Sequence, residues 1–337
     1  MRVDVHTHFV PPAFFDLMQD AGAARDLESF AVFGPMLRPG TERLFAAGVP
    51  AVFENWTEQM DSCSVDLSVL SIGALQPYFP ERHTAVDVTR RTNAMLAEAL
   101  DTAGPRFAAF GSLPLPHADA AVDEVRFCLD ECRFVGINLG TSAGGRPLDA
   151  PEFDPVWAAL DERRATVFLH PGTTPRMGVG ADEFHLAPDF CSPTETALAL
   201  CRLVAGRVTH RYPHVRIIAA AMGGALPFFA HRFDTGMRRS HPDLYEEIGG
   251  VLAQLRRCWF DTSMLDEPHA LESVRQSLGV DRLVFGSDLP RGPLSEALRF
   301  VTASPLLSDA EKTQILDANG AAALPQPAHL AGKGGAA

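Results

Sequence analysis

The chain has 337 residues, 46% of them hydrophobic and 21% charged, and a formal net charge of −13. That much apolar sequence can bury a large core, and so acidic a balance argues against nucleic acid or an anionic membrane as a partner. No apolar run approaches a membrane span, and the chain enters an apolar strand pattern at once, without a basic n-region or a small-residue cleavage site, so the expected location is cytoplasmic.

Short β-type runs alternate with longer helix-type segments. RVDVH (2–6) comes first. LSVLSI (67–72) follows only after a long stretch, 7–66, that holds FGPMLRPGTERLF and is expected to cover one mouth of the fold. Next come FAAFGSL (107–113), FVGINLG (134–140), TVFLH (166–170), VRIIAA (215–220), CWFDTS (258–263) and LVFGSD (283–288). The runs are continuously apolar, as parallel strands buried on both faces are. Between them lie helical patterns such as ADAAVDEVRFCLDEC and FDPVWAALDERR. Eight β-α units in this length predict an α/β fold, a (β/α)8 TIM barrel over residues 1–324, with 7–66 inserted after strand one. The tail 325–337, PQPAHLAGKGGAA, reads as a flexible arm. The six cysteines are scattered; Cys128 and Cys132 lie one helical turn apart with no His or Cys cluster beside them. They read as core thiols rather than a disulfide framework or a zinc knot.

Catalytic groups of such barrels stand at the C-terminal ends of strands. Strand one ends in His6-Thr7-His8, strand five in His170 and strand eight in Asp288. Residues two apart on a strand face the same side, so His6 and His8 can address one point, with Thr7 turned away. Asp4 reads as structural or as support for the histidines. Each residue alone has a plainer reading, Asp288 for instance as a cap for a helix beginning near Pro290. Together, three imidazoles and a carboxylate suit Zn²⁺ or another first-row divalent ion with open positions for water or substrate.

The motifs VDVHTH (3–8), GSLPLP with DEVRFCLDECRFVGINLG (within 111–140), FLHPG (168–172), RYPHVRIIAAAMGGALPFF (211–229), LVFGSDLP (283–290) and ILDANGAAAL (315–324) occur in that order. In them the chain resembles the amidohydrolase superfamily, in the branch of aminocarboxymuconate-semialdehyde decarboxylase and the aromatic-acid decarboxylases. The resemblance implies that His6, His8, His170 and Asp288 bind one divalent metal, usually Zn²⁺ and in some decarboxylases Mn²⁺. It also implies a proton-transferring His immediately before the apolar-Gly-Gly turn of AAAMGG. Here that residue is Ala221, which has no titratable group. Either the function has been lost, or a His was changed deliberately to trap a complex. His231, ten residues on, reads as a solvent-facing helix residue.

The resemblance further implies a carboxylate-binding arginine in the first long loop, which makes Arg38 and Arg43 candidates; the plainer reading of each is an exposed surface arginine. His185 and Arg176 lie in the loop after strand five, and Phe33, Phe53, Trp56, Tyr78 and Phe79 are either walls for a planar ligand or core. The implied function is metal-dependent decarboxylation of a small aromatic or related unsaturated carboxylic acid, with Asp288 and position 221 in the chemistry. The alternatives are hydrolysis of a C–N or C–O bond, closure of a heterocycle from an aromatic acid, or a catalytically impaired binding protein. A homodimer is implied by the branch alone.

Overall fold

The computed structural model describes residues 1–172, 183–263 and 267–325. Its eight longer apolar runs form parallel strands: β1 Val3–His8, β2 Leu67–Ser71, β3 Phe107–Gly111, β4 Gly136–Leu139, β5 Thr166–Leu169, β6 Arg216–Ala219, β7 Trp259–Asp261 and β8 Leu283–Val284. They lie in one sheet in chain order. The sheet closes where the segment after β8 returns to β1: Val5 N donates to the Phe285 carbonyl at 3.0 Å, Asp288 N to the His6 carbonyl at 2.8 Å, and His8 N to the Leu289 carbonyl at 2.6 Å. This is a TIM barrel with helices outside.

Between β1 and β2 the long stretch is helical: α1 Pro12–Asp20, α2 Ala23–Asp26, α3 Glu28–Leu44 and α4 Val49–Cys63. The single crossover helices are α5 Arg82–Ala103, α6 Ala118–Arg126 and α7 Asp154–Glu162; α8 Ser192–Ala205 and α9 Val208–Arg211 join β5 to β6, and α10 Leu226–Ser240 follows β6. Among the described residues no helix is long and apolar enough to cross a membrane.

The aromatic residues weighed as ligand walls are core instead. Phe33, Phe53, Trp56, Tyr78 and Phe79 belong to the large cluster packed between strands and helices. Phe53 stacks on Phe9 at 5.4 Å, and the Tyr78 hydroxyl accepts from Gly140 N at 3.0 Å. Burying rings of this size contributes more to the core than any exposed position could.

Inside the barrel a separate cluster includes Val3, Val5, Phe110, Phe168 and Val284, and the chain's last described turn joins it through Ala323 and Leu324. Thr166 Oγ1 donates to the Ala323 carbonyl at 2.8 Å, and Asn319 Nδ2 to the Val280 and Leu283 carbonyls at 2.9 and 2.7 Å. Thr166 and Leu283 begin β5 and β8 and Val280 lies in the turn just before β8, so the C-terminal turn plugs the N-terminal end and leaves the other end for a site.

The alternation of β1 is broken once. Asp4 pairs with Ser68, yet Thr7 pairs with Leu70, so β1 carries one extra residue against β2. A bulge of this kind reverses which face the following side chains address. Val3 and Val5 therefore fill the barrel interior, and past the bulge His6 and His8 point inward. Asp4 and Thr7 share the other face, where Thr7 Oγ1 donates to Asp4 Oδ2 at 3.1 Å and meets Ser68 Oγ at 2.7 Å.

Candidate metal centre

His6, His8 and His170 each offer a ring nitrogen, and the three atoms lie within 4.8 Å of one another. His6 Nε2 and His8 Nε2 are 3.0 Å apart. Asp288 Oδ1 is 3.1 Å from His8 Nε2 and 3.5 Å from His6 Nε2. The His170 ring centre is 5.1 Å from that of His6 and 4.9 Å from that of His8, each pair meeting edge to face. Side-chain exposure is 3% for His6, 17% for His8 and 15% for Asp288, so the cluster is buried but open on one side.

The far nitrogen of each ring is held from behind. His6 Nδ1 meets Asp261 Oδ2 at 2.7 Å, His170 Nδ1 the Pro171 carbonyl at 2.7 Å, and His8 Nδ1 Ser71 Oγ at 3.2 Å. A carboxylate and a carbonyl only accept, so Nδ1 carries the hydrogen in His6 and His170 and Nε2 keeps a lone pair. His8 Nδ1 faces a hydroxyl, which both accepts and donates, so its Nε2 can also turn a lone pair to His6 Nε2 at 3.0 Å; in that tautomer the lone pairs, with a carboxylate oxygen beside them, repel unless a proton or a metal cation stands among them. A proton can meet this need at His6 but not at its neighbours. Burial disfavours a charged His6, but the charges of Asp261 and Asp288 outweigh it and push its pKa up to about 8. Burial and the neighbouring imidazoles push His170 well below its ordinary value, and burial does the same, less strongly, to His8. Burial would raise Asp288, but the surrounding imidazoles overcome that and hold it ionised. Three imidazoles with one carboxylate and fixed tautomers are the donor set of a first-row divalent ion.

Small residues make the room. Gly73 has φ +61, and a Cβ there would stand 2.5 Å from His8 Cε1. At Gly286 a Cβ would meet those of Asp261 and His6 at 3.0 Å. Behind the cluster, Asp4 accepts from Ser287 N at 2.9 Å, Ser287 Oγ at 2.6 Å and His6 N at 3.1 Å, tying β1 to the segment that carries Asp288.

Asp261 is the residue that the reading of strand ends passed over. It closes β7, and the rule applied to His6, His170 and Asp288 would have found it in CWFDTS. Its Oδ2 holds His6, while Oδ1 accepts from Ala221 N at 3.0 Å and from Ser263 Oγ at 2.7 Å. Position 221 is thus one carboxylate away from His6. Ala221 has φ +53 and Met222 φ +52, a left-handed pair that branched or bulky residues avoid and that functional turns tolerate.

Among the described residues Arg38, Arg43 and His185 share no hydrogen bond or ion pair with this cluster. Arg38, expected as a clamp in the first long loop, is engaged with its own helices: its Nε donates to Glu42 at 2.8 Å, Nη1 to Gln19 at 3.0 Å and Nη2 to Asp16 at 2.7 Å. That guanidinium is engaged between α1 and α3. Arg43 is exposed near the end of α3. His185 is exposed and pairs with Asp189 at 3.0 Å, and His231 is exposed on α10. Arg176 and the tail from residue 326 lie outside the described residues.

Residues 3–326 match the family model described as amidohydrolase. The chain is 25% identical over 336 residues to 2-amino-3-carboxymuconate-6-semialdehyde decarboxylase of Dictyostelium discoideum, covering 95% of this chain and 90% of the relative. It is 29% identical over 303 residues to 6-methylsalicylic acid decarboxylase of Penicillium expansum, covering 89% and 88%. Among solved structures, 5-carboxyvanillate decarboxylase of Novosphingobium aromaticivorans, with bound manganese and 3-methoxy-4-hydroxy-5-nitrobenzoic acid, superposes with a TM-score of 0.79 at 22% identity, covering 95% of each chain. A 2,6-dihydroxybenzoate decarboxylase complexed with 2,6-dihydroxybenzoate gives 0.70 at 23% identity, covering 95% and 97%.

Proposed function

The chain belongs to the amidohydrolase family, and from that premise we propose that it is a divalent-metal-dependent decarboxylase of a small aromatic or related unsaturated carboxylic acid. The observation that carries this reading is the convergence of His6, His8 and His170 within 4.8 Å, with Asp288 beside them. The decarboxylases among the relatives support decarboxylation over hydrolysis or ring closure.

His6, His8, His170 and Asp288 would hold the ion. The donor set suits Zn²⁺, the ion expected from the sequence, and the manganese of a neighbouring structure supports Mn²⁺. When bound, such an ion supplies Lewis-acid polarisation of a substrate oxygen. The remaining work belongs to the chain. Asp261, Ser71 and the Pro171 carbonyl keep the imidazoles in place. Loss of CO₂ leaves an electron pair on the ring carbon, and a proton must replace the lost group there. Asp288, beside the histidines, would begin as a carboxylate base: it takes the proton of a ring hydroxyl and returns it to the carbon as CO₂ departs. Gly73 and Gly286 make room for the imidazoles of His8 and His6, and Ala221 puts only a methyl group beside Asp261.

The test uses the purified full chain, its metal first removed with a chelator and then restored separately with Mn²⁺ and Zn²⁺. CO₂ release from hydroxybenzoates should vanish on removal and return with one of the ions. Absence of CO₂ release from every aromatic acid tried, together with turnover of an amide or ester by the metal-loaded protein, would overturn the decarboxylase reading.

A further inference from the structure

We propose that Arg291 receives the carboxylate of the substrate; this rests on the reading of the site as one for an aromatic acid. Arg291 follows Asp288 by one turn, its N donating to the Asp288 carbonyl at 2.8 Å. Asp288 turns Oδ1 to the histidines and Oδ2 to Arg291, whose Nη1 is 3.6 Å away. On its other side, Nη2 is 4.0 Å from Asp189 Oδ1, in the segment between β5 and α8. The guanidinium therefore stands at the open end of the barrel, bridging two loops beside the metal cluster.

What distinguishes it is availability. Both contacts are longer than hydrogen bonds, and among the described residues no shorter one to this side chain is present, so five N–H donors remain for a ligand. Arg38, by contrast, makes three bonds of 2.7–3.0 Å to its own helices. Charge points the same way. Asp261 and Asp288 together offset the charge of a divalent ion, so an incoming anion gains from a further cation at the mouth. Among the described residues Arg291 is the one Lys or Arg side chain within 4.0 Å of Asp4, Asp261 or Asp288. A planar fork held loosely by two acids can take a third carboxylate in two parallel bonds. Its side chain is 68% exposed, as a group meeting ligand at the mouth must be before binding.

The experiment measures equilibrium binding, by calorimetry, to the manganese-loaded full chain and to its Arg291→Gln and Arg291→Lys variants. The probes are 2,6-dihydroxybenzoate against resorcinol and 6-methylsalicylate against 3-methylphenol, pairs that differ only in the carboxylate. Arg291→Gln should weaken the acids by about 10- to 100-fold, the effect of a lost charge-assisted bond, and leave the phenols within about twofold. Arg291→Lys should fall between. Manganese content should be unchanged in both variants, which separates a ligand contact from damage to Asp288. Equal loss for acid and phenol, no loss for either, or loss of manganese overturns the assignment. If the unaltered protein binds neither acid, the aromatic-acid reading itself fails and this one with it.

Discussion

Ala221 and Asp261 form one unit. Asp261 orients His6 through one oxygen and fixes the backbone of residue 221 through the other, so anything carried at 221 is positioned by the same carboxylate that positions a metal-binding imidazole. Alanine gains nothing from that placement. Its φ of +53 is a conformation that alanine disfavours and that His, Asn and Asp adopt more readily. The variant Ala221→His should therefore fold, and it should put an imidazole at the end of β6 beside the cluster. A general acid/base is worth roughly 10²–10⁴-fold in rate. The expected outcome is faster CO₂ release by the histidine variant, with metal content unchanged, in side-by-side assays on hydroxybenzoates. If it is no faster on any acid that either form accepts, the site works without a base at this position.

Two helix N-termini around the barrel are held by acids whose titration should be visible. Glu81 caps α5, accepting from His83 N at 3.0 Å, Thr84 N at 2.7 Å and Thr84 Oγ1 at 2.8 Å; the Thr84 and His83 backbone bonds push its pKa down to about 2. Glu311 completes a capping box with Ser308. The Ser308 N–H and then the Arg275 guanidinium, 2.7 Å away, pull its pKa down to about 2 as well. Both folded values lie below the unfolded 4.5. These caps therefore stabilise fully above about pH 4.5 and stop contributing as the pH falls through 2. Replacing Glu81 or Glu311 with Gln should lower Tm at pH 7, and the difference from the parent should shrink to nothing near pH 2. Thermal unfolding followed by circular dichroism across that range checks this, and a constant difference would show that the carboxylate charge plays no part.

Across the whole molecule, the two ends of the barrel divide the labour. The C-terminal end holds the histidines, Asp261 and Asp288; the N-terminal end is closed by the turn that carries Ala323 and Leu324. Leu324 is only 4% exposed. Leu324→Ala should cost about 2–4 kcal/mol of stability through lost burial and a residual cavity. Its effect on KM and metal content should be negligible, because conservation of function depends on the opposite face of the barrel. Urea unfolding combined with steady-state kinetics checks both halves. A fall in activity matching the loss of stability would mean that the two ends are coupled.

Much of this was legible in the residues themselves. Continuous apolar runs separated by helical patterns determine a parallel barrel, because a strand buried on both faces needs apolar side chains on both. The strand-end rule then singles out His6, His8, His170 and Asp288, since covalent order already sets the end of each strand at which they stand. The tertiary structure decided what depends on other strands. The bulge in β1 arises from its pairing with β2, and it alone lets Val3, Val5, His6 and His8 all face inward. Asp261 reaches His6 across 255 positions of sequence, a distance over which no local pattern operates. Arg38 and Arg291 are the same residue type in equally ordinary surroundings of sequence. Only the fold engages the guanidinium of Arg38 with Asp16, Gln19 and Glu42 and leaves that of Arg291 beside Asp288, because which donors remain available is settled by neighbours that the chain brings together only when folded.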